Sequence, residues 1–374
     1  MSEVSYYGYV RVFYPLGEGK IVLRTELDWN LDVEPVAVEE DGQRFDFLIS
    51  HARPYLSCKP CIRKEGERTR WAAGGNKLVV LSESPQDIYP HFFTGERGRI
   101  TQILECPSQV LGRALRLRIY LPGGYDENYL KRYPVLYMFD GRNLFFPEES
   151  FLGREWKIDE SLDLLNSMNL IDRAIVVGVH AKDRLAEYTA PGYVPYAKAL
   201  ATELKPWIDR SLRTLPGRDR TGVMGSSLGG VIAFHLAWSY PEVFGNAACL
   251  SSTFGHRDDL LERVRGDSIE SRKGLKIYLD SGWPSDNYEI TLSMVNALIE
   301  RGFMLGRDVL HLAFPNDKHN ETSWASRVHI PLQLFSGKVR HAAARHAQPY
   351  TTESKRASRV YRKLDDGQPP SDSP

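Results

Sequence analysis

The chain has 374 residues, 42% of them hydrophobic, and its 48 basic side chains are matched by 48 acidic ones. That length and apolar content exclude a disordered chain or a small disulfide scaffold and fit one large domain or two ordinary ones around a buried core. The balanced charge provides no global field that would favour nucleic acid or an acidic membrane surface.

Residues 1–10 lack the positive flank and apolar run of a signal peptide, and no stretch approaches about 18 apolar residues, so the chain reads as soluble and cytoplasmic. From 6 to about 81 the apolar residues come in short alternating runs (9–14, 21–25, 44–49 and 77–81) separated by Gly, Asn, Asp and Pro, which predicts a small antiparallel β-sandwich. Trp29, the stretch 55–59 and Trp71 ahead of Asn76 loosely resemble the sandwich modules that bind starch and glycogen. That resemblance implies sugar stacking on exposed aromatic faces. A lone Trp in a sandwich more often fills a core, so the expected role of the unit is to pack beside a catalytic cleft and shape entry to it. Cys58 and Cys61 form a CxxC, but with only Cys106 and Cys249 elsewhere they read as two thiols on a β-rich segment rather than a zinc or redox site.

Residues 83–100 hold two prolines, two glycines and no period, and read as a linker, so that 1–98 comprise the sandwich and its linker. Strands are expected at 100–106, 114–121 and 134–139. From there strand and helix patterns alternate: strands at 174–179, 246–251, 276–280 and 309–314, and helices near 196–212, 287–301 and 323–335. Such alternation over 99–337 predicts an α/β unit with a mostly parallel sheet, helices on both faces and ligands at the carboxyl ends of the strands. The tail 338–374 is modestly basic, lacks an apolar period and is expected to be disordered.

The chemistry centres on 219–241, where Gly225, Ser227 and Gly229 fit GxSxG. Residues 221–224 read as a buried strand, and Leu228, Val231, Ile232 and Leu236 recur at helical spacing until Pro241. Between strand and helix that pattern makes Ser227 a nucleophile on a sharp turn, with the Leu228 N–H at the helix N-terminus able to bind a developing oxyanion. Ser226, Ser251 and Ser252 are the competing hydroxyls, and none has glycine two residues away on both sides. A serine hydroxyl needs a histidine to take its proton and a carboxylate to hold that histidine's tautomer. Downstream are His235, His256, His311, His319, His329, His341 and His346: His235 and His329 fall in helices, His311 in a strand and the last two in the tail, whereas His319 sits in a loop just after a strand. The carboxylate is Asp280 at the end of its strand or Asp286 in the loop beyond.

Residues 101–336 resemble the Putative esterase family of the α/β-hydrolases, which includes enterochelin, S-formylglutathione and feruloyl esterases and mycolyltransferases. The matching stretches are 119–122, 133–141, Arg184 with 187–189, 224–230, 241–245 and the loop around His319. The resemblance implies an α/β-hydrolase fold, a triad of Ser227, Asp286 and His319, and a second oxyanion donor at the Arg142 N–H. It also implies hydrolysis of a small-molecule ester through an acyl-enzyme, with no metal and no organic cofactor. The family has proline directly after the threonine corresponding to Thr189, whereas here Ala190 precedes Pro191. Enterochelin esterases also carry a β-sandwich ahead of the hydrolase domain. Acyl transfer to an alcohol would use the same triad. A glycan-binding protein with an inactive hydrolase domain is the alternative of another class, and the intact serine, histidine and carboxylate stand against it.

Overall fold

The computed structural model describes residues 6–39 and 41–338, so the tail expected from 338 onward lies, after Lys338, outside the described residues. Two N-terminal sheets come first. One runs Ala37–Val38, Arg44–His51, Tyr6–Phe13, Gln86–Ile88; the other runs Asp28–Val33, Lys20–Thr25, Tyr55–Arg63, Arg70–Trp71, with Lys77–Val80 also on Tyr55–Arg63. Their alternating residues meet in one core: Val10, Val12, Phe45 and Phe47 from the first sheet against Ile21, Leu23, Leu56 and Val79 from the second.

Two features depart from the expected pattern. Gln86–Ile88 pairs in parallel with Val10–Val12, so part of the stretch read as linker is strand, with Ile88 in the core. Tyr55–Arg63 is the middle strand of its sheet although it contains Pro60, a residue confined to sheet edges and bulges. It is tolerated because Pro60 falls at the gap between the two short strands on its far side, which pair through Cys58 and from Cys61 onward. Cys58 and Cys61 both lie buried in this strand, and burial pushes each thiol up to about 12. Trp29 and Trp71 pair with each other at 6.3 Å, and the Arg24 guanidinium covers one face of Trp71.

The large sheet has the order Arg99–Ile100, Arg113–Leu121, Ile175–His180, Val135–Met138, Thr221–Ser226, Asn246–Leu250, Lys276–Trp283, Val309–Pro315, with Leu104–Ser108 also on Arg113–Leu121. Pairing is antiparallel around Arg113–Leu121 and parallel from Ile175–His180 onward. The central strands are buried along their whole length, as helices on both faces require. Period-two alternation sorts their side chains. Val135, Tyr137, Val223, Cys249 and Leu279 face a core shared with helices Leu228–Ser239 and Tyr288–Glu300. Leu136, Met138, Met224, Leu250 and Tyr278 face one shared with Ile158–Ser167, Glu321–Arg327 and His329–Ser336. This is an α/β-hydrolase fold with a β-rich N-terminal region. No described helix is long and apolar enough to cross a membrane.

Prolines shape the helices. The helix expected near 196–212 is Tyr193–Ala199 running through a π turn, Leu200–Leu204, into Lys205–Ser211; the Lys205 N–H reaches Leu200 O where Pro206 lacks a donor. The helix expected near 323–335 is two, Glu321–Arg327 and His329–Ser336, with Pro331 in the first turn of the second.

The N-terminal sheets are fastened to the large sheet by the turn after Leu121. The Glu127 carboxylate accepts the Tyr14 hydroxyl at 2.9 Å and the backbone N–H groups of Phe92, Phe93 and Thr94 at 2.6, 2.9 and 2.8 Å. Asn128 donates to Phe13 O and Pro90 O. In register, Tyr120 lies opposite Val176 and Arg116 opposite His180, so this turn is at the amino end of the parallel strands.

Three buried histidines are held neutral. Burial and Arg173 push His91 down to about 4; burial and Arg142 push His180 down to about 4; burial and Arg263 push His235 down to about 3. A histidine whose folded pKa lies below its unfolded value takes up its proton more readily in the unfolded chain. Its stabilising contribution is therefore complete above about pH 6.5 and lost as pH falls toward 4, a tenfold difference in proton affinity being worth about 1.4 kcal/mol. Thermal melts between pH 7.5 and 4.5 should show this steep loss, and His235→Gln should flatten the slope by about one proton. A level profile from pH 6.5 to 4.5 would contradict it.

Candidate active site

The site begins with a backbone constraint. Strand Thr221–Ser226 passes directly into helix Leu228–Ser239, and Ser227 at the junction has φ 55° and ψ −124°, a left-handed conformation that L-residues rarely adopt. Its N–H donates to Leu250 O at 2.9 Å, and its own carbonyl accepts from Gly230 N at 3.1 Å. A Cβ at Gly225 would overlap the Gly229 carbonyl, and one at Gly229 would stand 3.1 Å from the Asp140 carboxylate. The glycines on either side of the serine are thus required by close approach. Of the competing hydroxyls, Ser251 and Ser252 are fully buried and do not line the cleft of about 480 Å³ that Ser227 borders; Ser226 also borders it but lies inside the strand rather than on the strained turn.

That cleft lies at the carboxyl ends of the strands. Asp140–Asn143, Phe151, His180–Lys182 and Arg184 line it together with Ser226 and Ser227, and His319, Glu321 and Trp324 complete the lining. Arg142, the middle residue of the 3-10 turn Gly141–Asn143, lines the cleft, and Leu228 is the first residue of the helix behind Ser227. Asp140 has φ 54° and accepts from Arg184 Nε through both oxygens at 2.9 and 3.0 Å, which braces the turn against the segment 180–184.

The two candidate acids have different surroundings. Strand Lys276–Trp283 runs three residues past Asp280, which is therefore inside the strand rather than at its end. Its carboxylate is enclosed, taking the Tyr278 hydroxyl at 2.6 Å, Ser251 N at 3.3 Å and Arg327 Nη2 at 3.0 Å. Burial, opposed by Arg327, pushes it up to about 6. Asp286 is carried back by a tight loop whose ends, Gly282 and Asp286, form a bridge. Asp286 Oδ1 is 2.6 Å from His319 Nδ1, and its Oδ2 accepts from Ser251 Oγ at 2.5 Å and Gly282 N at 2.8 Å. Burial raises this carboxyl, and the three hydrogen bonds outweigh it, so Asp286 is held below the usual carboxylate range.

His319 follows strand Val309–Pro315 and a left-handed turn at Asn316, φ 68°. The loop is closed at its far end by Asn320, whose side chain caps helix Glu321–Arg327 by accepting Ser323 N at 3.0 Å. Trp324 stands edge-on to the His319 ring at 5.1 Å. Ser227, His319, Arg142 and Leu228 are thus gathered at one end of the sheet, with Asp286 behind the histidine.

Two groups are not foreseen from sequence: the Asp140–Arg184 brace and the buried Arg327, which bonds to Ser251 Oγ, Asp280 and Asp317. Asp140 and Arg184 are 44 residues apart, and Arg327 is 76 from Ser251 and 47 from Asp280, so the pairings arise only in the assembled fold. The expectation that the N-terminal unit shapes the cleft is also corrected: the first residue lining the cleft is Asp140, and the N-terminal sheets attach at the opposite end of the parallel strands.

Gly225→Ala should cost at least about 3 kcal/mol of stability and lower ester turnover by more than about 100-fold, because either the elbow or the helix must shift. Gly217→Ala, with φ −64° and open space around it, serves as the neutral control. Equal behaviour of the two variants in melts and rate assays would refute the close-approach argument.

A model of the family described as Putative esterase matches residues 108–304. The uncharacterized protein YjcH of Bacillus subtilis (strain 168) is 33% identical over 181 residues, 47% of this chain and 69% of its own. Among solved structures, a ferulic acid esterase has a TM-score of 0.54 at 17% identity, covering 64% of this chain and 98% of its own. The enterobactin esterase of Shigella flexneri, solved in the presence of enterobactin, has a TM-score of 0.53 at 16% identity, covering 88% of this chain and 93% of its own. At such identities the structural likeness speaks for the fold alone. The family match spans more than half of the chain and lies on an α/β-hydrolase sheet: this chain belongs to the Putative esterase family and is an ester hydrolase.

Proposed function

We propose that the protein hydrolyses a small-molecule carboxylic ester through an acyl-enzyme on Ser227. The observation that carries this reading is the 2.6 Å contact between His319 Nδ1 and the ionised, buried Asp286, at a cleft that also holds Ser227 on its strained turn. The contact keeps the His319 proton on Nδ1 and leaves Nε2 to act as base. The Ser227 hydroxyl attacks the ester carbonyl as His319 takes its proton, and the developing oxyanion is bound by the N–H groups of Leu228 and Arg142. His319 then gives the proton to the leaving alkoxide. Water enters and, as His319 takes its proton, attacks the acyl carbonyl; the bond to Ser227 Oγ breaks, His319 returns the proton to Oγ, and the acid leaves.

Asp280 is the structural carboxylate in this scheme, since its hydrogen-bonding capacity is taken up by Tyr278, Ser251 and Arg327. The same reading divides the chain at about residue 98, supported by the separate core of the N-terminal sheets. Esters of ferulic acid and enterobactin, named with the two structural neighbours, are the first candidates to assay.

The test compares variants on a reactive aryl ester. Ser227→Ala should lower kcat by about 10⁴- to 10⁶-fold with the fold intact. Asp286→Asn, which favours the wrong imidazole tautomer, should cost on the order of 10⁴-fold. Asp280→Asn should lower Tm while keeping activity within about tenfold. A silent Asp286→Asn beside an inactive, stable Asp280→Asn would reassign the acid. A Ser227→Ala retaining more than about a tenth of wild-type turnover would remove the serine from the mechanism altogether.

A further inference from the structure

Arg327, the last residue of helix Glu321–Arg327, has a side chain only 2% exposed, yet it touches every segment that carries the acid and the histidine. Nη1 binds the Asp317 carboxylate at 2.8 Å, two residues before His319 on the same loop. Nη2 binds Ser251 Oγ at 2.6 Å, lies 3.0 Å from Asp280 Oδ1 and 3.7 Å from Asp286 Oδ2. The guanidinium carbon stands 5.0 Å above the Phe314 ring, on the strand that leads into the histidine loop.

Hydrogen-bond bookkeeping at Ser251 makes the arrangement directional. Its oxygen receives two donors, Arg327 Nη2 and Trp324 Nε1 at 3.0 Å. The hydroxyl's single proton is therefore left for Asp286 Oδ2, 2.5 Å away. Arg327 thus acts on Asp286 twice, by its charge and by orienting the serine that donates to it. Around this one cation stand three carboxylates, Asp280, Asp286 and Asp317. Without it, Asp317 on the histidine loop and Ser251, the donor to Asp286 Oδ2, would lose their common tie, and the acid and the imidazole would no longer be held to one point.

We propose that Arg327 is a positioning residue for the Asp286–His319 pair, a rigid buried fork that fixes the acid loop and the histidine loop to one point and keeps Asp286 accepting. The inference rests on the assignment of Asp286 and His319 above. A planar fork with two directed donor pairs cannot be replaced by the single point charge of lysine, so the conservative substitution is informative.

The experiment uses the full chain with Arg327→Lys, Arg327→Met, Asp317→Asn and the Arg327→Lys/Asp317→Asn double variant, assayed on the aryl ester. Arg327→Lys should lower kcat at least about tenfold with KM within about threefold, since substrate binding is untouched while the base is misaligned. The low-field proton NMR signal of the His319–Asp286 hydrogen bond should broaden or vanish in the same variant. Asp317→Asn should slow turnover less. The double variant should be no slower than Arg327→Lys alone, because both act through one tie. Wild-type kcat with an unchanged low-field signal in Arg327→Lys, or fully multiplicative effects in the double variant, would reduce Arg327 to an ordinary structural ion pair. If Arg327→Met fails to fold, the lysine and Asp317→Asn variants still decide the matter. Should Ser227→Ala and Asp286→Asn themselves keep activity, the reading of the site falls; should they be inactive while Arg327→Lys matches wild type, only this inference does.

Discussion

The backbone at Ser227 is the constraint from which the rest follows. An L-residue held at φ 55° and ψ −124° costs on the order of 1–3 kcal/mol, and it persists only where the surroundings leave no alternative. Here the strand before it is buried on both faces, the helix after it is buried along almost its whole length, and its N–H is committed to Leu250. The same tightness excludes side chains at Gly225 and brings the Asp140 carboxylate against Gly229. Asp140 in turn holds Arg184, so the turn that frames the cleft is referenced to the serine rather than to a loose loop.

A second layer of organisation is electrostatic. Two aspartates six residues apart are driven in opposite directions: burial raises Asp280 despite its bonds from Tyr278 and Arg327, whereas Asp286, given three donors including His319, is lowered in spite of burial. Separation of this kind assigns different work to residues of one type. Burial acts in the same way on the histidines. His180 and His235 are depressed mainly by desolvation, which keeps two further imidazoles neutral near the site and in the helix behind it.

What can be read from the chain is the local part. Gly225, Ser227 and Gly229 carry their own context, because strand, turn and helix are contiguous, and His319 stands out by lying in a loop after a strand. The helix Ile158–Ser167 is not legible in the same way: it starts at Lys157 in a left-handed conformation with no side-chain cap, so no capping residue marks its start. Pro60 obscures the central strand Tyr55–Arg63. Arg327 is out of reach for a different reason, since its ties to Ser251 and Asp280 link residues 76 and 47 positions apart and are created only when the sheet is assembled. The position of the N-terminal sheets is likewise a matter of register, settled by which end of the parallel strands the turn after Leu121 occupies.

The way those sheets are attached bears on how such a protein can change. Glu127 grips its neighbour through the amide groups of three consecutive residues, 92–94, and an amide is present whatever side chain a codon specifies, proline excepted. The seam can therefore drift in sequence while one acidic position is kept. Because it is anchored away from the carboxyl ends of the strands, the appended β structure is free to diverge, or to be exchanged for another, without a compensating mutation in the cleft. A family built in this way would be expected to show a steady catalytic half beside a restless amino-terminal one.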